Sequence, residues 1–244
     1  MIEAGAQNPN ARTLDTPEEE IGEMMRMVIA HEVGHALGLP HNMKASAAYP
    51  TDSLRSAEFT QKYGLTPSIM DYARVNYVAQ PEDKGVRYIR MMGPYDLYAI
   101  NWGYRYLPEA DTPDDEKEKL DQWILEKAGD PVYEFGGGYG GFDPQAQRES
   151  LGKDQVKASE YGLANMKKVV PNLIEWTTKD GYAYDELEEV YGELISLWRG
   201  YLYHVVTNVG GVYETRKTSD QEGTIYTPVP DNIQKNAVQF LNEN

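Results

Sequence analysis

Apolar residues recur at helical intervals in several separate stretches of the chain, each bounded by its own start or stop signal. Ile21, Met24, Met25 and Val28 share one helical face, behind a start signal with Thr16 as N-cap, Pro17 as first helical residue and Glu19 closing a capping box. Thr112-Pro113-Asp114-Asp115 repeats that signal, and Leu120, Trp123 and Ile124 carry a helix to the neighbourhood of Gly129. Val156, Ser159, Leu163, Met166 and Val170 predict a further helix that Pro171 interrupts. Leu187, Val190, Tyr191, Leu194, Trp198, Tyr201, Leu202, Val205 and Val209 then trace one long packing stripe, closed by Gly210-Gly211. On that helix Glu186, Glu188, Glu189 and Glu193 read as a solvated face and His204 as a structural or surface residue. A last amphipathic helix opens at Pro230-Asp231 and runs through Ile233, Ala237, Phe240 and Leu241.

Between these segments the pattern is looser. Residues 43–92 carry few periodic stretches, and residues 212–229, with Thr and Tyr around Gly223, are expected to form a hairpin. The glycine run from Phe135 to Phe142 is not a phosphate loop, since no Gly-Lys-Ser/Thr comes after it. It reads as a flexible connection, with a substrate-lining loop as the sharper alternative. The fold class expected is α-rich α+β.

Composition narrows the function. Lys+Arg 23 against Asp+Glu 39 gives a net charge of −16, which argues against a general nucleic-acid binder. The absence of cysteine excludes disulfides, thiolate catalysis and Cys-based metal sites. No window approaches the roughly 18 apolar residues of a transmembrane segment, and residues 1–16 have no apolar signal core.

The candidate chemistry lies in His31-Glu32-Val33-Gly34-His35-Ala36-Leu37-Gly38-Leu39-Pro40-His41, which holds three of the chain's 4 histidines. His31 and His35, one helical turn apart, project from the same side, so both imidazoles can meet one metal ion. Gly38 can adopt the left-handed conformation that ends a helix and turns the chain back, delivering His41 as a third nitrogen ligand. Three histidines with one open position make a catalytic Zn2+ site rather than a closed structural one. Glu32 lies beside them, in reach of a water on the metal without being a ligand. The rival reading is three surface or core histidines on an amphipathic helix.

H-E-x-x-H-x-x-G-x-x-H with a methionine turn downstream resembles the metzincin zinc peptidases, and Ser68-Ile69-Met70-Asp71-Tyr72 resembles that turn. The resemblance implies that Met70 lies beneath the three imidazoles as an apolar base. It also implies that Tyr72 can ligate zinc and swing to hydrogen-bond the tetrahedral oxyanion, as in the astacin and serralysin branches; packing with its neighbours is the rival. Gly93-Pro94-Tyr95-Asp96 and the residues to Tyr104 resemble the C-terminal helix of serralysin-like and matrixin-like domains, which makes Asp96 a brace for the turn; an exposed helical Asp is the alternative. Phrases such as His41-Asn42-Met43-Lys44 and residues 63–79 look like the large bacterial zinc-dependent proteases called Met-zincin.

The resemblance implies zinc-dependent hydrolysis of peptide bonds, as an endopeptidase acting on a peptide or protein substrate, with Glu32 as general base. A secreted, periplasmic or cell-surface setting is implied by the resemblance alone. The family carries a substrate-pairing sheet before its zinc helix, and the residues before Thr16 do not read as one. The chain is therefore expected to be a piece of a longer parent, with a truncated catalytic half at 1–108 and a helical region at 109–244. Two rivals stand beside this reading: a zinc-binding but non-cleaving module that serves partner or glycan binding, and a non-peptide amide or ester hydrolase. Structural calcium at Asp143 or Asp154 lacks an Asp-rich loop and is not claimed.

Overall fold

The computed structural model describes residues 2–73, 75–138 and 142–244. Two 3-10 turns, Ile2–Ala6 and Pro9–Ala11, lead into helix α1, Glu18–Ala36. The start signal is displaced by one residue from its expected place. Pro17, not Thr16, is the N-cap, and the capping box with Glu19 does not form. The Ile21 N–H donates to the Pro17 carbonyl at 3.0 Å, so that carbonyl opens the helical ladder. Glu18, Glu19 and Glu20 fill the first turn, where negative charge complements the helix dipole.

The loop-rich stretch after α1 contains 3-10 turns at Met43–Ala47 and Thr51–Arg55, helix α2 at Ala57–Tyr63 and helix α3 at Pro94–Tyr104. Most of its segment 65–80 is buried, and buried irregular backbone needs hydrogen-bond partners. Side chains provide them. Asn76 Nδ2 donates to the carbonyls of Leu54 (2.8 Å) and Arg87 (3.1 Å), and Asn165 Nδ2 to those of Tyr77 (3.0 Å) and Ala79 (2.8 Å).

The remainder is mainly helical: α4 Pro113–Leu125, α5 Gln155–Val169, the short α6 Leu173–Thr177, α7 Asp185–Val206 and α8 Asp231–Glu243. Thr112 and Asp115 form the capping box of α4. Between α7 and α8, β1 (Val212–Glu214) pairs antiparallel with β2 (Tyr226–Pro228), Tyr213 opposite Thr227. The molecule is thus α-rich α+β, with a two-stranded sheet among the described residues.

Val156, Leu163 and Val169 of α5 pack with Val190, Leu194, Tyr201 and Val205 of α7 and with Phe240 of α8. Gly162 permits the close approach of α7, since a β-carbon there would lie 2.6 Å from Cζ of Tyr201. Ile2, Leu54, Leu65 and Tyr77 belong to the same core, so residues on both sides of position 108 share it. No helix among the described residues is long and apolar enough to cross a membrane.

Helix α1 departs from this pattern. Its apolar face at Ile21, Met25 and Val28 is exposed rather than buried, Met25 to 58%. The helix buries only His31 and Gly34. Away from its metal-motif side it is tied down by Glu23, paired with Arg87, and by Glu20, which accepts from Asn8 and Asn10; of the predicted apolar face only Met24 is half-buried.

Candidate metal centre

Helix α1 stops where the motif needs it to. Gly38 has φ +84°, with open space around its α-carbon, so backbone conformation and not crowding is what calls for glycine. The Leu39 N–H donates to the Gly34 carbonyl at 3.0 Å and the Gly38 N–H to the His35 carbonyl at 2.9 Å. That pair of bonds is a Schellman stop. The reversal brings His41 back over the helix end, and its ring centroid lies 4.5 Å from that of His35 and 5.2 Å from that of His31.

Each of the first two imidazoles is oriented by a backbone carbonyl. His31 Nδ1–H donates to the Ile69 carbonyl at 2.8 Å and His35 Nδ1–H to the Leu39 carbonyl at 2.8 Å. This leaves each Nε2 with its lone pair directed inward. His35 Nε2 stands 3.0 Å from His41 Nε2, and one nitrogen from each of the three rings falls within 4.8 Å of the others. Two nitrogens at such a distance either share one hydrogen bond, one ring donating to the other, or flank a metal ion. Three converging together fit a metal ion, and an all-nitrogen set of three suits zinc. Burial lowers the proton affinity of His31, and burial together with the charges of His35, His31 and Arg148 lowers that of His41. Both therefore favour the neutral, ligating form.

Met70 lies under this cluster, fully buried. Its segment is tied to the neighbouring chain on three sides. The Asn42 N–H donates to the Met70 carbonyl at 3.0 Å. Asp71 accepts the Ser46 N–H at 2.6 Å and the Ala73 N–H at 3.1 Å. Asp96 accepts the Ser68 hydroxyl at 2.7 Å, the Ile69 N–H at 2.8 Å and the Gly93 N–H at 2.8 Å. Asp96 is thus buried and bonded to the methionine turn, not an exposed helical residue. Burial pushes the Asp71 carboxyl up to about 8 and raises Asp96, while backbone donors and the buried Arg90 pull both the other way.

Tyr72 leans over the centre, its ring 4.5 Å from His41 and 5.7 Å from His31. Glu32 is exposed at the mouth, and its charge reaches His31 and His41. The structure therefore brings all eight residues expected at the site, namely Glu32, Tyr72, His31, His35, His41, Gly38, Met70 and Asp96, into one neighbourhood.

Several residues of this neighbourhood do not stand out in the sequence. Gly34 provides room for Met70. Asn42 links the third histidine to the glycine run: its Nδ2 donates to the Glu134 carbonyl at 3.0 Å and its Oδ1 accepts the Gly136 N–H at 3.0 Å. The described part of that run is consequently no flexible connection. Lys44 N–H donates to the Gly136 carbonyl at 3.2 Å, and a β-carbon on Gly138 would meet Met43 Cγ at 2.7 Å. Residues 139–141 of the run lie outside the described residues. A glycine inside the helix of a ligand motif is the one local signal for Gly34, because glycine is a poor helix former with no advantage there unless something presses on the backbone.

No curated protein and no solved structure matches the chain. A family model described as Met-zincin matches residues 13–244, which include the whole of the centre and the helical region behind it. With so nearly complete a match, the chain belongs to the Met-zincin family, a metzincin-type group of metalloproteases.

Proposed function

We propose that this chain is a zinc endopeptidase unit in which His31, His35 and His41 hold the metal and Glu32 is the general base. The observation that carries the reading is the convergence of three inward-facing imidazole nitrogens, two of them oriented by backbone carbonyls. When bound, zinc polarises the scissile carbonyl and lowers the pKa of a water to about 7. Glu32 takes a proton from the attacking water at its carboxylate and returns it to the leaving amine. The Tyr72 hydroxyl donates a hydrogen bond to the oxygen on which negative charge develops. Met70 and Asp96 do no chemistry; one seats the rings from below, and the other holds the turn that carries Met70 and Tyr72. Residues 1–108 supply the reacting groups, and 109–244 form the helical support.

A second reading, a zinc module that binds without cleaving, is favoured by one feature. A separate groove of about 540 Å³, which none of the three histidines lines, is bordered by Tyr95, Tyr98, Tyr133 and Phe135, and such aromatic faces suit stacking against sugars or peptides. Metal analysis together with cleavage of a generic unfolded protein separates the two. One zinc per chain with chelator-sensitive cleavage supports the peptidase; one zinc per chain with no cleavage of any polypeptide supports the module.

A further inference from the structure

Arg148 comes from a segment remote in sequence, yet its guanidinium lies over the Tyr72 ring, 5.7 Å from the centroid. That ring is the one 4.5 Å from His41. The cation is exposed and stands at the rim of the candidate centre, beside the converging nitrogens rather than among them. We infer that Arg148 is a specificity-determining residue that selects substrates bearing a carboxylate next to the scissile bond, an inference that rests on the peptidase reading above.

Three observations support it. First, the backbone at this position is fixed from both sides. Gln147 Nε2 donates to the Pro144 carbonyl at 2.9 Å and to the His204 carbonyl at 3.1 Å. His204 Nε2–H donates to the Arg148 carbonyl at 2.8 Å. The next residue, Glu149, has φ +60°, the one left-handed non-glycine among the described residues. Left-handed backbone in a side-chain-bearing residue is held only where surrounding contacts over-determine it, and such positions cluster at binding sites. The anchor comes from α7, so the long helix behind the centre fixes the backbone from which the guanidinium extends.

Second, the charge is opposite in sign to that of the chain as a whole. The chain carries −16 overall, a field that repels acidic peptides. An acidic side chain or terminal carboxylate is accepted only where a cation is fixed locally. Third, the residue type suits the task. The planar guanidinium matches a carboxylate through two parallel hydrogen bonds, while its flat face stays stacked on an aromatic ring. Tyr72 supplies that ring and, through its hydroxyl, the contact to the reacting oxygen. One side chain thereby couples the recognised carboxylate to the chemistry.

The test uses matched peptides that differ only by Glu or Gln at each position flanking the cleaved bond. The zinc-loaded protein is expected to prefer one Glu peptide in kcat/KM by about tenfold or more, the discrimination that a charge-assisted hydrogen bond supports. In Arg148→Gln that ratio falls to near one, and in Arg148→Glu it inverts in favour of the Gln peptide. A merely structural Arg148 would slow both peptides equally and leave the ratio intact, which overturns the inference. So does cleavage with no acidic preference at any position. Calorimetry on the chelator-treated protein supplies a readout independent of turnover. The Glu peptide is expected to bind more tightly than the Gln peptide to the native chain and equally to Arg148→Gln. Equal binding to the native chain overturns the inference, whereas unequal binding without cleavage would upset the peptidase reading alone.

Discussion

The thioether of Met70 occupies the space that a side chain on residue 34 would need. A β-carbon on Gly34 would collide with Met70 Sδ and lie 3.3 Å from Cε, and Met70 is fully buried, so any shift of its side chain disturbs packed neighbours. The glycine stands between His31 and His35 on α1, so the methionine turn meets the helix backbone directly beneath the two ligands.

Gly34→Ala separates this contact from helix propensity. Alanine in a helix interior is favoured over glycine by about 1 kcal/mol, so without the contact the variant would be more stable. The expected result is the opposite, a loss of about 1–3 kcal/mol from overpacking, with weaker zinc binding because His31 is bonded to the Ile69 carbonyl of the same turn. Met70→Ala alone leaves a cavity and is destabilising, but in that background, where the collision is absent, Gly34→Ala is expected to cost less than in the native chain. Thermal unfolding and zinc titration of the four proteins check this; a Gly34→Ala chain more stable than the native one refutes it.

Glu32 and His31 should fail in different ways. Glu32→Gln keeps the shape of the side chain but cannot accept a proton, so peptide cleavage falls on the order of 10²–10⁴-fold while zinc per chain stays unchanged. His31→Ala removes a ligand whose orientation is fixed by a buried hydrogen bond, and the metal is lost with the activity. Elemental analysis beside a peptidase assay distinguishes the two.

Lys44, three residues after the last histidine of the motif, is a buried lysine. Its ammonium lies 3.0 Å from Asp143 Oδ2 and 3.4 Å from Glu134 Oε2 and donates to the Glu214 carbonyl. Asp143 spends its remaining capacity on the N–H groups of Glu214 and Gln145. Lys44→Met leaves Asp143 charged and buried, with an expected loss of about 3–5 kcal/mol. Lys44→Met/Asp143→Asn removes the stranded charge and regains part of that loss. Denaturant unfolding measures both, and equal destabilisation by the single and double variants contradicts the account.

His204 gives the fold a pH dependence of predictable sign. Burial holds its pKa below the ordinary 6.5, and its Nδ1 has no hydrogen-bond partner among the described residues. Once the pH falls below about 6.5 the unfolded chain protonates this residue while the native state still resists. The unfolded state then binds more protons, and stability falls with falling pH until the native pKa is reached. His31 and His41 share this direction, so the His204 share is the difference in slope between native protein and His204→Gln in unfolding curves taken from about pH 7.5 to 5. Identical slopes would mean that His204 does not contribute.

The zinc helix, its Gly38 stop and the arrival of His41 are legible in the sequence because each depends on residues within a few positions of one another. Spacing on a helix fixes which side chains share a face, and a glycine that permits φ +84° fixes where the chain turns. The capping box at Thr112 and the hairpin around Gly223 belong to the same class of local signals. The start at Thr16 misleads by one residue because Pro17 fits either the N-cap or the first helical position.

Other features were decided by the tertiary structure alone. Periodicity announces an apolar face on α1 but not what lies against it, and Met25 and Val28 stand in solvent. The glycine run reads as a connector until Asn42 and Lys44 take up its backbone. Gly34, Asp71 and Arg148 acquire their roles from groups tens of residues away in the chain. Local sequence specifies conformation and facing. Long-range contact requires that separate segments fold onto one another, and no spacing rule encodes which carbonyl receives an imidazole or which ring lies beneath a guanidinium.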